Sequence, residues 1–298
     1  MRSYNTFCTH YSLQALPPSE NTLILYATHI SSYSSHSNVK LHMAAIKHFT
    51  TRHGHTIDFA KFLQLYLLLR GIKRAEGKKF SLPKRHPITP TLLHTIHENL
   101  FNSSRPYEDK LMLWAAITTA FFGFLRVSEY TSTHKTKYDP SVTLLYDNLK
   151  LTEDMAHIEI KASKTDPFRH GVTICLAAND TILCPIRALR HYISVHPTST
   201  GPLFLYQNNR CLTRKDMNKL LFDTTDGLAN TTSHSLRIGA ATTAAAMGCP
   251  KWLIMSLGGW TSGCFRRYIR ISKHTVMNTS HVLANCTNPI THIFNPHE

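Results

Sequence analysis

The 298-residue chain is 42% hydrophobic and carries 33 Lys and Arg against 18 Asp and Glu, a formal net charge of +15. That length and apolar content suffice for two domains with their own cores and exclude a disordered polyelectrolyte, while the charge points to a polyanionic partner, either nucleic acid or an anionic membrane. Of these, nucleic acid is favoured: the longest apolar run, residues 111–125, falls short of the ~20 residues a bilayer requires and contains Thr118 and Thr119, so it reads as a buried helix.

The N-terminus lacks the apolar core of a signal peptide, and no lipidation motif is visible. Seven cysteines form no CxxC pair and are odd in number, so neither a disulfide framework nor a zinc module is suggested and a reducing, intracellular compartment fits better.

In chain order, residues 19–32 form a capped segment with Leu23, Ile24, Ala27 and Ile30 on one helical face. A second helix follows with an apolar stripe of Val39, Met43, Ile46 and Phe49; Lys40, Lys47 and Arg52 lie off that stripe, and Gly54 closes it. A third runs from about 58 to 75. Residues 1–82 are therefore expected to be a helical domain of three helices, with ten basic against three acidic residues, the charge of a domain that grips DNA. The stretch GKKFSLPKRHP, with Lys78, Lys79, Lys84 and Arg85, has no apolar period and reads as a linker able to lie along phosphates, leaving residues 83–298 as the second domain.

In the second domain, Thr89-Pro90 starts a helix through Leu100, and a strongly apolar helix runs from about Glu108 to Phe122. Gly123 breaks it just before Arg126 and Glu129. Residues 142–178 alternate with period two and predict a small antiparallel sheet, whose last two strands are joined by a hairpin carrying Lys164. Pro185 and Thr213 open two further helices. In residues 232–270, Ser233 is expected to cap an alanine-rich helix on which His234 and Arg237 share one face; Pro250 opens the next, Gly258-Gly259 ends it before Trp260, and a short third helix carries Tyr268. The expected fold class is mainly α with a small antiparallel β-sheet.

These residues suit one chemistry. In-line displacement at a phosphodiester needs a nucleophile, cations on the non-bridging oxygens and a proton donor for the leaving oxygen. Arg126 and Arg237 can bracket the phosphate bidentately, His234 can exchange the nucleophile's proton, Lys164 can reach the leaving oxygen, and Tyr268 can attack. The bland alternative for each, a solvated or core side chain in a basic helical bundle, is the better one for any of them taken singly.

Taken together, Arg126 in FLRVSE, Lys164 in SKTD, His234 and Arg237 in HSLR, Trp260 in LGGW and Tyr268 in RRYIR resemble the tyrosine recombinase, or phage integrase, family over about residues 86–275. HSLRIGAAT followed by LGGWTS and YIR especially resembles recombinases of DIRS-type retroelements and related eukaryotic elements. The resemblance implies a helical core-binding domain and a mixed catalytic domain of the DNA breaking-rejoining type, closing around double-stranded DNA, with four protomers on two sites and no cofactor. It implies cleavage by Tyr268 through a 3′-phosphotyrosyl link, with Arg126 and Arg237 holding the phosphate, Lys164 protonating the leaving group and His234 as general acid or base. Trp260 stands where the family has His or Trp; its indole donates a hydrogen bond and accepts no proton. Glu129 matches an orienting acidic residue, a surface partner for Arg126 being an equally good reading. The family commonly exchanges a C-terminal segment between protomers, a part the tail, residues 271–298, could play, a loose end being the bland alternative.

One departure is the short N-terminal domain, for which two readings stay open: the loss of a first helix, or a partial gene product. In a eukaryotic host such an enzyme acts in the nucleus. The competing readings are a domesticated DNA-binding protein without activity and a type IB topoisomerase, whose long basic linker before the tyrosine is missing here. The pairs His94 with His97 and His53 with His55 lack the further ligands of a metal site.

Overall fold

The computed structural model describes residues 1–77, 84–163, 166, 168–195, 200–271 and 273–285. The chain divides into two compact units, Met1–Pro83 and Lys84–Glu298.

The first unit is built from α1 (Arg2–His10), α2 (Glu20–Ser31), α3 (His36–Arg52) and α4 (Leu63–Glu76). It thus has four helices where the sequence analysis expected three. The extra one, α1, supplies Tyr4, Phe7 and Cys8 to a core completed by Leu23, Tyr26, Ile30, Val39, Met43, Ile46 and Leu65. The expected single helix over 58–75 is broken instead at Phe62, which separates a short 3-10 turn, Phe59–Lys61, from α4. Ser19 and Ser35 cap α2 and α3 through their hydroxyls. Glu20 accepts the Leu65 N–H at the start of α4 and Glu76 accepts the His36 N–H at the start of α3, each at 3.0 Å. Two of this unit's three carboxylates are therefore spent on helix N-termini, where they also suit the dipole. Lys40, Lys47 and Arg52 are exposed and join no ion pair among the described residues.

The second unit is organised around α6 (Tyr107–Phe122), whose residues Leu111 to Phe121 are all buried. Packing from every side explains the unbroken apolar run, which the sequence marks as a buried helix. Against it lie α5 (Pro90–Phe101), α8 (Pro185–Val195) and α10 (Ser233–Ala246); α7 (Val127–Tyr130), α9 (Arg214–Thr224), α11 (Lys251–Leu257) and α12 (Lys273–Ala284) complete the helices. A three-stranded antiparallel sheet in the order β1 (Leu149–Leu151), β2 (Met155–Ile160), β3 (Val172–Ala177) pairs Leu149 with Ile158 and Ile158 with Ile174. Its alternating Ala156, Ile158 and Ile160 enter the core. The fold is thus mainly helical with one small sheet, as the sequence implies. Among the described residues no helix is long and apolar enough to cross a membrane.

On α12, Val276, Met277 and Val282 are exposed. Residues 286–298, with the apolar group Ile290, Ile293 and Phe294, lie outside the described residues.

Candidate active site

The site begins where α6 stops. A side chain at Gly123 would meet the Ile174 methyl at 2.7 Å and the Thr119 carbonyl at 2.8 Å, so the helix end packs closely against β3. Phe124 then takes a left-handed conformation, φ 50°, and Arg126 turns extended ahead of α7. Glu129 fixes this corner. Its carboxylate accepts the Arg126 backbone N–H at 2.7 Å and the Arg126 guanidinium at 2.8 Å. Glu129 is buried, so of the two readings the geometry favours orientation of Arg126 over a chance surface pairing.

The first turn of α10 is capped by Thr232, one residue earlier than expected. The Thr232 N–H donates to the Ser235 hydroxyl at 3.1 Å, and the Ser233 N–H donates to the Asn218 side chain of α9 at 2.9 Å. The helix carries His234 and Arg237 one turn apart. Arg237 is 1% exposed, and its guanidinium donates to the backbone carbonyls of Phe124 and Gly258. It therefore ties the end of α6 to the end of α11. Burial, and then the Arg126 charge, lower its pKa to about 10, so it stays protonated at neutral pH. Its Nε, also buried, has no hydrogen-bond partner among the described residues.

Aromatic rings cover that cation. The guanidinium carbon lies 4.4 Å from the Trp260 ring centroid and 5.6 Å from that of Tyr268. Trp260 can approach because the turn offers glycine: a Cβ on Gly258 would fall 1.9 Å from the indole. Pro250 caps α11 rather than opening it, and Tyr268 does not sit on the expected helix but directly follows a 3-10 turn, Gly263–Arg267. The Tyr268 segment is held to α10 by Thr242, whose hydroxyl donates to the Tyr268 carbonyl and accepts the Arg270 N–H, both at 3.1 Å. The half-buried phenol then lies 5.2 Å from the His234 ring and 4.9 Å from Trp260, centroid to centroid.

His234 is pushed down to about 4, first by burial and then by the charges of Arg85, Arg237, Arg214 and Arg126. At neutral pH its imidazole is neutral and able to accept a proton. A small cleft lined by Arg126, Glu129, Ile160, Ser163, Val172 and Arg237 adjoins the group and reaches the base of the β2–β3 hairpin. Lys164, on that hairpin, lies outside the described residues, as do Lys78 and Lys79. The structure thus brings together Arg126, Glu129, His234, Arg237, Trp260 and Tyr268. Lys84 and Arg85 are exposed on the segment before α5, and Lys40, Lys47 and Arg52 belong to the other unit. Among the described residues no group of three or more His, Cys, Asp or Glu side chains could hold a metal ion; His97 is instead packed between Phe101 and Trp114.

Neither the models of known protein families nor the sequences of curated proteins match the chain. Solved structures do. The XerH site-specific recombinase in a post-cleavage complex with a palindromic difH substrate aligns over 89% of this chain and 70% of that one, with 14% identity and a TM-score of 0.55. The Tn1549 transposon integrase in complex with circular intermediate DNA aligns over 90% of this chain and 87% of that one, with 13% identity and a TM-score of 0.53. This chain shares their fold. A pre-cleavage complex of XerH aligns over 76% of this chain and 66% of that one, with 16% identity and a TM-score of 0.47, so the chain spans about two thirds of the XerH length.

Within that fold, sequence reasoning missed the residues that hold the site in place. The Phe124 and Gly258 carbonyls that receive Arg237 are backbone groups without a side-chain signature; the doubled glycine before Trp260 was the available signal. Thr242 carries no motif. Arg214, whose charge reaches His234, reads in the sequence as an ordinary residue after a helix cap.

Proposed function

We propose that the chain is a tyrosine recombinase that cleaves and rejoins DNA strands. The observation that carries this reading is the placement of the Tyr268 phenol beside His234 and over the buried guanidinium of Arg237. A buried cation held by backbone carbonyls and aromatic faces, with its Nε unpartnered among the described residues, suits an anionic group brought in from outside. Arg126, aligned by Glu129, offers the second cation.

On this reading the Tyr268 oxygen attacks the scissile phosphorus and gives its proton to neutral His234. The bond from phosphorus to the 5′ oxygen breaks, the strand remains joined through a 3′-phosphotyrosyl ester, and the 5′ oxygen leaves as a hydroxyl with a proton from Lys164, assigned by its place in SKTD. Attack by a 5′ hydroxyl of another strand reverses these steps and frees the tyrosine. Arg126 and Arg237 stabilise the charge on the non-bridging oxygens throughout. Trp260 supports Arg237 through the face of its ring.

The motif pattern further places the chain with mobile-element recombinases of the DIRS type, assembling as four protomers on two duplex sites, in the nucleus of a eukaryotic host. Lys40, Lys47, Arg52, Lys78, Lys79, Lys84 and Arg85 then serve the DNA backbone. The test is a nicked duplex that traps the covalent intermediate. The protein should form a denaturation-resistant adduct, and Tyr268→Phe should abolish it while leaving DNA retention intact. An adduct of unchanged yield in that variant removes Tyr268 as nucleophile.

A further inference from the structure

One aromatic ring of the second unit stands outside its core. Phe168 is 81% exposed, more than any other large hydrophobic side chain among the described residues. An exposed hydrophobic side chain is ordinary by itself. This one is set apart by the turn that carries it and by where that turn starts and ends.

Phe168 lies on the hairpin that joins β2 to β3, and the turn is closed from within. The Asp166 carboxylate accepts the Gly171 N–H at 2.8 Å, the Asp166 N–H donates to the Ser163 carbonyl at 3.1 Å, and the Arg169 N–H donates to the Asp166 carbonyl at 3.3 Å. Arg169 takes a left-handed conformation, φ 55°, and its guanidinium donates to the Ser141 hydroxyl at 3.2 Å. The backbone on either side of the ring is therefore held while the ring itself projects, with the His170 ring 6.0 Å away, centroid to centroid. The one carboxylate of the hairpin is engaged by Gly171, whereas Lys161, Lys164 and Arg169 flank the ring in sequence. Such a neighbourhood suits a phosphate backbone.

Both feet of the hairpin stand at the cleft beside the site. Ile160 and Ser163 on one side and Val172 on the other line it together with Arg126 and Arg237. Phe168 precedes Val172 by four residues, so the chain holds it within about 14 Å of the cleft wall, the length of about four base steps.

We propose that Phe168 is a wedge that enters the DNA between two adjacent base pairs near the phosphate bracketed by Arg126 and Arg237, and unstacks that step. The proposal rests on the recombinase reading for the DNA in the cleft. A flat apolar ring replaces the lost base stacking with its own faces, and the flanking cations keep the backbone in place while the step opens. An end that is to join another strand must first leave its stack, and the wedge weakens that hold. Because pyrimidine–purine steps unstack most easily, the same residue favours a TA or CA step beside the cleavage point.

The test is the fluorescence of 2-aminopurine, which rises when that base is unstacked, in the full chain carrying Tyr268→Phe so that no strand is cut. The probe is a duplex of alternating T and A with 2-aminopurine at dispersed adenine positions, which presents the same flexible step in every binding register. The anisotropy of an end label follows binding on the same duplex. Binding should raise the 2-aminopurine signal. Phe168→Ala, at a position so exposed that the core is untouched, should bind with the same midpoint and lose that rise, whereas Phe168→Tyr, which keeps the flat ring, should retain it. No rise with the parent, a rise that survives in Phe168→Ala, a rise lost only together with binding, or an equal loss in Phe168→Tyr overturns the proposal. So does a change in sedimentation of the DNA-free protein on Phe168→Ala, which would assign the ring to a contact between copies of the chain. Adduct formation with Tyr268 intact is scored separately. An adduct without the rise removes only this proposal, and a rise without an adduct removes only the cleavage reading.

Discussion

The rings of His234 and Tyr268 lie 5.2 Å apart, although α10, α11 and a 3-10 turn intervene in sequence between the first turn of α10 and the tyrosine. On the proposed reading this neutral imidazole takes the proton of the phenol. His234→Gln should therefore slow adduct formation by about 10²-fold to 10⁴-fold, the usual worth of a general base, while leaving the melting temperature close to that of the parent. Single-turnover kinetics on the nicked duplex measure this; a loss under tenfold would transfer the role to another group.

Arg237→Lys should unfold more easily than the parent. A planar guanidinium reaches the Phe124 and Gly258 carbonyls at once, and an ammonium on a linear stem cannot span both with the same geometry. Leaving one buried carbonyl unpaired costs about 1–3 kcal/mol. Urea denaturation reads the difference, and Arg126→Lys, at a partly exposed position, should lose adduct formation with a smaller loss of stability.

The depressed pKa of His234 makes the stability of the free protein depend on pH. Above 6.5 the imidazole is neutral in both folded and unfolded chains, and its contribution is fully present. As pH falls from 6.5 towards about 4, the unfolded chain binds a proton that the folded chain refuses, so stability is lost across that window. Melting temperatures at pH 7.5 and 4.5 should therefore differ less in His234→Gln than in the parent. An identical difference would show that other histidines carry the whole effect.

The two glycines before Trp260 should respond unequally to alanine. At Gly258 a methyl would fall 1.9 Å from the indole and drive the ring off Arg237, so both stability and adduct formation should drop sharply. At Gly259, where φ is 57° and no atom lies within 4 Å of the added carbon, only the backbone penalty of about 1 kcal/mol applies. Comparing the two variants by thermal melting and adduct yield separates packing on the indole from strain in the turn.

Much of the second unit was legible because its signals are local. Thr89, Thr213 and the period-two alternation of residues 142–178 each mark an element by its own chemistry, and α5, α9 and the sheet follow them. Helix α1 was not legible: Met1 caps it without a side-chain hydrogen bond, and its hold on the unit comes from Tyr4 packing edge-on to Tyr26 at 5.1 Å, a contact no local pattern announces. At the site, side-chain types showed what chemistry was on offer but not how it is held. Trp260 reads in sequence as a hydrogen-bond donor, while in the structure it presents its ring face to a buried cation; a residue's type does not say which of its surfaces a neighbour will use.

The contact of Ile88 with Gly239 and Ser235 has a consequence for grafting. Anyone joining this second unit to a foreign DNA-reading module would naturally cut at the start of α5. That cut would discard the strap that lies on α10 and, with it, Arg85. A functional chimera should instead inherit the unit from Lys84 onward, so that the foreign part ends before the strap begins.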